Sequence, residues 1–94
     1  MTYAWTITRD RIFSGDENDL VGPPGATLTT EQIRSHPKAE RFTMHCDDGE
    51  CYYEGFLVGD EASGFEPLED FGTPNASCTE IRYKNPKTGA METL

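Results

Sequence analysis

Three cysteines and two histidines are the residues of this chain whose side chains could bind a metal or act as nucleophile and base. Zinc is bound by Cys and His, and the candidates are His45, Cys46, Cys51 and Cys78. Neighbouring residues of a strand point to opposite faces, so His45 and Cys46 cannot easily share one ion. A catalytic cysteine needs a nearby base, and His36 and His45 are the only imidazoles in the sequence. We therefore predict no metal, no cofactor and no cysteine nucleophile.

Closely spaced carboxylates are a second possible source of chemistry, and Glu66, Glu69 and Asp70 form such a group. An acid/base pair requires desolvation and unequal environments, which a charge-rich loop rarely provides. The tripeptide from Asp70 to Gly72 also spells the magnesium-binding motif of protein kinases, but the other kinase motifs are missing from the sequence. We predict that the protein is not an enzyme. A small enzyme or metal-dependent module that uses Cys/His or carboxylates stays an alternative.

The charge distribution is the strongest signal in the sequence. From Phe42 to Ile81 there are ten carboxylates and no Lys or Arg, whereas the other residues carry seven acids and eight bases. The net charge of −9 is therefore concentrated in one contiguous run. A strongly negative surface repels nucleic acid and membranes and attracts basic protein surfaces. The predicted partner-binding residues are Asp47, Asp48, Glu50, Glu54, Asp60, Glu61, Glu66, Glu69 and Asp70, with Tyr53 and Phe65 as less salt-sensitive aromatic anchors.

Length and composition favour one folded domain over residues 1–94. A chain of 94 residues can build one hydrophobic core, and ten aromatic residues argue against disorder. The sequence contains no signal-peptide pattern at its start and no apolar segment near the ~20 residues that span a bilayer. An odd number of cysteines is unlike the paired framework of a secreted domain, although a Cys46–Cys51 disulfide across a turn stays an alternative. We predict a cytoplasmic protein.

The first third of the sequence predicts one strand and one short helix. Tyr3–Arg9 alternates apolar and polar residues with the period of a half-buried strand. The Gly22–Gly25 segment forces a turn or an extended crossing. Thr29 and Gln32 then match a capping box, and the helix must end near Ser35 because Pro37 follows. A helix of two turns is stable only if its apolar residues dock on a sheet.

The rest of the sequence predicts a hairpin, a loop and a further strand. The hairpin runs from Arg41 to Val58 around a turn at Asp48 and Gly49, and both faces of its return strand carry apolar residues. Asp60–Phe71 is predicted as a long acidic loop, Cys78–Lys84 as a strand, and Ala90–Thr93 as a possible last strand. We expect Trp5, Phe42 and Ile81 in the core. The predicted fold is α+β: an antiparallel sheet of about four strands with one short docked helix and a long acidic loop.

Three strings of the sequence resemble a group of small uncharacterised bacterial and phage-borne proteins. They are GPPGA (22–26), FTMHCDDGECYYEG (42–55) and FEPLEDFGTPNASCTEIRY (65–83). No biochemical function can be transferred from that group, so the resemblance implies none for this chain. In size and acidity the chain is also similar to phage-encoded inhibitors of host defence such as anti-CRISPR proteins, some of which are DNA mimics.

Together, the acidic run and this likeness predict a small acidic protein-binding module. Its partner would be a basic protein surface that normally binds nucleic acid, and the carboxylates would stand in for phosphates. The carboxylates could instead only solvate one face of the protein. A structural or subunit-interface phage protein is the further alternative.

Overall fold

Six strands form one antiparallel sheet in the part of the chain that the structure describes. The structure, a computed structural model, describes residues 3–11, 20–23, 25–59 and 63–94. The strands are β1 (Tyr3–Asp10), β2 (Leu20–Gly22), β3 (Glu40–His45), β4 (Cys51–Gly59), β5 (Glu80–Lys84) and β6 (Met91–Thr93). Their order across the sheet is β2-β1-β4-β3-β5-β6, and every neighbouring pair is antiparallel. The α+β class and the antiparallel sheet are confirmed.

The prediction of about four strands was too low, because β2 was not expected and β6 was expected only as a possible last strand; both are short edge strands that depend on tertiary pairing. β2 has three residues and is held by its register with β1 and by the hydroxyl of Thr6, which donates to the carbonyl of Leu20 at 2.9 Å. β2 also requires Gly22, because a methyl group there would overlap the indole ring of Trp5. β6 pairs with β5 at the other edge and matches the possible last strand. Neither strand has enough residues to show a periodicity of its own.

The predicted short helix is present as α1 (Thr30–Arg34). The Thr29 hydroxyl accepts from the backbone N–H of Gln32 at 3.2 Å, and the Gln32 side chain accepts from the N–H of Thr29 at 2.8 Å. The helix ends at Ser35, as Pro37 requires. Ile33 is fully buried and docks α1 on the sheet. The capping box and the docking are therefore confirmed.

Both faces of the sheet are covered in part, as the two apolar faces of β4 indicate. On the first face, Trp5, Phe42 and Ile81 are buried in one cluster, which confirms the predicted core. The second cluster lies on the opposite face, where Ile33 of α1 packs with Ala4 and Val58.

The predicted acidic loop Asp60–Phe71 is helical in its second half, which is a correction. A π-helical turn (Leu68–Gly72) runs into a second α-helix, α2 (Thr73–Ala76). Leu68 is buried against the first face of the sheet, and the ring of Phe71 packs at a tilt against Trp5 and edge-on against Tyr53, with ring centroids 5.5 and 4.7 Å apart. Apolar residues three apart on this turn thus cover the core, although the acidic composition of the segment favours a loop.

The hairpin turn has the predicted geometry. Gly49 adopts a φ of +85°, which favours glycine, and its N–H donates to the carbonyl of Cys46 at 2.9 Å. The register of β3 and β4 shifts between Met44 and His45. His45 is buried, and Cys46 is half-exposed.

Candidate functional site

The exposed carboxylates of the acidic run form two patches at opposite ends of β4. The turn patch consists of Asp47, Asp48 and Glu50, which are all exposed and precede β4. The loop patch consists of Phe65, Glu69 and Asp70, all exposed, in the segment after β4. Asp70 contacts Tyr3, which pairs with Gly59 at the far end of β4. One continuous run in the sequence therefore becomes two separate patches.

The loop patch combines an aromatic ring with carboxylates. Phe65 is 41% exposed and is the aromatic residue among the large exposed hydrophobic residues of the described chain. The N–H of Glu69 donates to the carbonyl of Phe65 at 2.9 Å, so the two residues lie one helical turn apart. Side chains at this spacing are neighbours on the same face of a helix. Phe65 and Glu69 are therefore neighbours at the start of this helical segment.

Asp70 is held in position by two donors from β1. Its Oδ2 accepts from the Tyr3 hydroxyl at 2.8 Å and from Trp5 Nε1 at 3.0 Å. The hydrogen bond to Asp70, with a smaller contribution from burial and from nearby carboxylates, raises the pKa of Tyr3 to about 12. Tyr3 therefore stays protonated and keeps donating at physiological pH. Asp70 is consequently an exposed carboxylate with a fixed orientation.

Glu66, predicted to bind a partner, has a structural role. Its carboxylate accepts from the backbone N–H groups of Ser63 and Gly64, each at 2.8 Å, and so ties the start of the helical segment. Burial raises the pKa of Glu66, but these hydrogen bonds outweigh it and leave the pKa below its ordinary value. A general acid needs a raised pKa, so Glu66 is unsuited to that role.

The turn patch lacks internal partners. Within the described ranges, Asp47, Asp48 and Glu50 have no ion pair or side-chain hydrogen bond, and the same is true of Glu69 in the loop patch. The four carboxylates are thus solvated and not neutralised by the protein itself.

Glu54 is not part of an acidic surface, which corrects its assignment. Glu54 lies on the second face of the sheet, which α1 covers in part, and its side chain is 10% exposed. Its Oε2 accepts from Arg11 Nη2 at 2.6 Å and Nε at 3.0 Å, and its Oε1 accepts from Arg41 Nη2 at 3.1 Å. Burial raises the pKa of Glu54, but the two guanidinium groups outweigh it and lower the pKa below its ordinary value. A carboxylate between two internal cations is not available to a partner.

Tyr53 is not an exposed anchor, which is a second correction. It is fully buried on the first face, where its ring packs edge-on against Phe71. Its hydroxyl has no hydrogen-bond partner within the described part of the chain. The alternation of β4 fixes this outcome, because Tyr53 and Leu57 share the face that carries the main core. Of the two predicted aromatic anchors, Phe65 alone is exposed.

Asp60 and Glu61, the remaining predicted partner-binding residues, lie outside the described residues. Cys46, Cys51 and Cys78 are free cysteines. Among residues 3–11, 20–23, 25–59 and 63–94, no three His, Cys, Asp or Glu side chains are grouped as they would be around a metal ion. Burial raises the pKa of Cys78 to about 11 and also raises that of Cys51, so neither thiol is activated as a nucleophile.

Sequence reasoning missed the basic residues that gather on the second face. Arg11, Arg41, Arg82 and Lys84 line one groove there, together with Glu54. They are separated by up to 73 positions in the sequence and no local motif connects them. Part of this cluster could have been predicted from the hairpin register, because Arg41 and Glu54 are diagonal neighbours on the same face of the hairpin.

No known protein family, curated protein or solved structure matches this chain. The resemblance drawn from the three sequence strings therefore stays a prediction. In the described residues, the structure contains no helix with the length and apolar character needed to cross a membrane.

Proposed function

We propose that the protein is a small acidic binding module that attaches to a basic surface of another protein. Phe65 carries the proposal, because it is exposed and lies one helical turn before Glu69, in the same segment as the oriented carboxylate of Asp70. A desolvated aromatic ring supplies affinity, and surrounding charges supply steering and specificity.

The charge balance supports the same class of partner. The chain carries a net charge of −9, and the carboxylates of the turn patch and Glu69 have no neutralising cation among the described residues. A positive surface approaching this protein gains electrostatic attraction without first breaking an internal ion pair. The turn patch then acts as a second contact or as a long-range guide.

The more specific form of the proposal is a DNA mimic that occupies a nucleic-acid-binding surface, as some phage-encoded inhibitors of host defence do. Carboxylates of the two patches would replace phosphates. The likeness in size and acidity to such inhibitors supports this form.

A competition experiment distinguishes a general acidic binding module from a DNA mimic. The protein is immobilised, its partners are captured from a bacterial lysate, and the captured partner is challenged with duplex DNA. Release by DNA supports mimicry. Capture that DNA does not affect contradicts mimicry but leaves an acidic binding module in place.

The variant Phe65→Ala and a control matched in exposure test the site itself. Phe65→Ala is expected to weaken capture at every salt concentration, because an apolar contact is not screened. Leu20→Ala is the control, since Leu20 is a similarly exposed apolar residue, at 42%, on the far edge strand. Equal effects of the two variants would contradict the assignment of the loop patch.

A further inference from the structure

The second face of the sheet is covered over only part of its area. α1 packs over Ala4 and Val58, but the strands beyond them present charged side chains to an open groove of about 400 Å³. We call it the basic groove. Its charged lining residues are Arg11, Arg41, Glu54, Arg82 and Lys84.

The strand register brings these side chains together on one face. Thr43 of β3 pairs with Glu54 of β4 on one side and with Arg82 of β5 on the other. The pairing of Phe42 with Tyr83 places Lys84 level with Arg41. Side chains directly opposite each other across a sheet lie about 5 Å apart at Cβ. The cations therefore surround a space of small-molecule size.

The groove is positively charged within a negatively charged protein. It holds four of the eight Lys and Arg residues of the chain, against Glu54 as the one acidic lining residue among those the structure describes. Glu80 forms an ion pair with Arg82 at the side of the groove. The side chains of Arg11 and Arg41 are 47% and 49% exposed, so their guanidinium groups reach solvent. Among the described residues, Glu54 and Glu80 face these four cations, and Lys84 forms no ion pair there.

Glu54 fixes the two guanidinium groups from beneath. It binds Arg11 through two nitrogens and Arg41 through one, while its own side chain is 10% exposed. Holding an Arg side chain in place removes most of the rotamer entropy that binding a ligand would otherwise cost. Arg41 uses only one nitrogen for Glu54, which leaves further N–H donors on a positioned group.

His45 and Thr43, which also line the groove, are hydrogen-bonded to each other. His45 Nδ1 lies 3.1 Å from the carbonyl of Gly49, which can only accept, so Nδ1 carries a proton. His45 Nε2 lies 2.8 Å from the Thr43 hydroxyl. Both side chains are therefore engaged within the protein, and the arginines and Lys84 supply the remaining donors of the groove.

We propose that the basic groove binds a small phosphate-bearing molecule. Guanidinium groups present planar pairs of donors that match phosphate oxygens, and Lys84 adds a point charge. The volume lies within the range of small-ligand sites, about 300 to 1,000 Å³. A nucleic acid strand fits less well, because no Phe, Tyr or Trp side chain among the described residues lines the groove for base stacking and the net charge of −9 repels a long polyanion. This site is on the face opposite the loop patch and does not depend on the proposed function.

Titration of the full chain with inorganic phosphate, followed by backbone amide NMR, tests the proposal. At constant ionic strength, saturable shifts are expected at Thr43, Arg82 and their strand neighbours, and not at α1. Succinate, titrated in the same way, distinguishes the ligand class, because a carboxylate-binding groove would favour it. Tighter binding of succinate than of phosphate, or phosphate shifts spread equally over all cationic residues, would overturn the proposal.

Charge-matched variants complete the test. Arg82→Gln with Lys84→Gln should weaken phosphate binding by at least about tenfold, since two charge-assisted contacts are lost. Arg34→Gln with Lys38→Gln removes the same charge outside the groove and should leave the affinity within about twofold. Lys84→Gln alone, which disturbs no ion pair of the described residues, should already weaken binding. Equal losses in the two double variants would show nonspecific attraction and contradict a site.

Discussion

Glu54 is a buried carboxylate whose charge is balanced by two half-exposed guanidinium groups. Removing one partner of such a cluster is costly because the remaining charges lose their compensation. The exposure of Arg11 and Arg41 lets water compensate them in part, which reduces the cost.

We expect Glu54→Gln to lower the free energy of unfolding by about 1 to 3 kcal/mol, measured by urea denaturation at neutral pH. Glu31→Gln is the matched control, since Glu31 forms an exposed ion pair with Arg34 at 3.6 Å. That control should cost less than about 0.5 kcal/mol. Equal costs would mean that the Glu54 cluster has no special role in stability.

The same variant has a defined pH dependence. The pKa of Glu54 in the folded protein lies below its ordinary value of 4.5, so the folded state favours the ionised form. Its stabilisation is complete above pH 4.5 and is lost as the pH falls through the lowered pKa. The stability difference between wild type and Glu54→Gln should therefore narrow below that pH. A constant difference down to strongly acidic pH would contradict the ion-pair explanation.

Tyr53 gives a second prediction at this scale, because its buried hydroxyl has no partner among the described residues. Burial raises its pKa to about 12, so the hydroxyl is neutral in the folded protein. Tyr53→Phe removes an unsatisfied polar group and keeps the ring. We expect unchanged stability or a gain of up to about 1 kcal/mol in thermal or urea unfolding. A loss of stability of more than about 1 kcal/mol would instead show that the Tyr53 hydroxyl makes a hydrogen bond in the folded protein.

At the scale of elements, α1 depends on its cap and on its docking residue. Five residues cannot form a stable helix alone, so Ile33 and the capping box must supply its stability. We expect Thr29→Ala to cost about 1 kcal/mol in urea unfolding. Thr27→Ala, an exposed threonine two positions earlier, should stay within about 0.5 kcal/mol of wild type. A Thr29→Ala protein as stable as this control would show that the cap is dispensable.

How far each element could be predicted depends on the range of its determinants. The signals for α1 lie within seven residues, and the hairpin turn is specified by Asp48 and Gly49, so both were predicted correctly. β2 and the Leu68–Gly72 turn depend on contacts with β1 and the core, which short segments do not reveal.

The same limit applies to the candidate site. Phe65 and Glu69 are close in the sequence and were both predicted. Arg11 precedes Glu54 by 43 positions, so the pair becomes visible only once the sheet is assembled. Without this pairing, the sequence favours an exposed position for Glu54, which is why it was predicted among the partner-binding carboxylates.

At the scale of the whole molecule, the protein has two separate acidic patches and one basic groove. The two patches carry carboxylates without internal cations among the described residues, and half of the basic residues line the basic groove, on the face opposite the loop patch. A net charge of −9 also destabilises the compact state through self-repulsion.

Neutralising unpaired carboxylates should therefore relieve repulsion without harming the fold. The triple variant Asp47→Asn, Asp48→Asn, Glu69→Gln leaves intact the internal hydrogen bonds of Glu66 and Asp70. We expect its thermal midpoint at low salt to equal or slightly exceed that of wild type. A clear loss of stability would show that these carboxylates have internal roles.

The central claim, that the acidic patches bind a basic partner, is tested most directly by the affinity of this folded triple variant for a captured partner. The control variant Glu31→Gln, Glu40→Gln, Glu92→Gln removes the same number of charges elsewhere. We predict that the triple patch variant loses affinity by at least about tenfold at low salt, that the control loses much less, and that high salt narrows the gap. Unchanged low-salt affinity of the folded patch variant would contradict electrostatic recognition by these carboxylates.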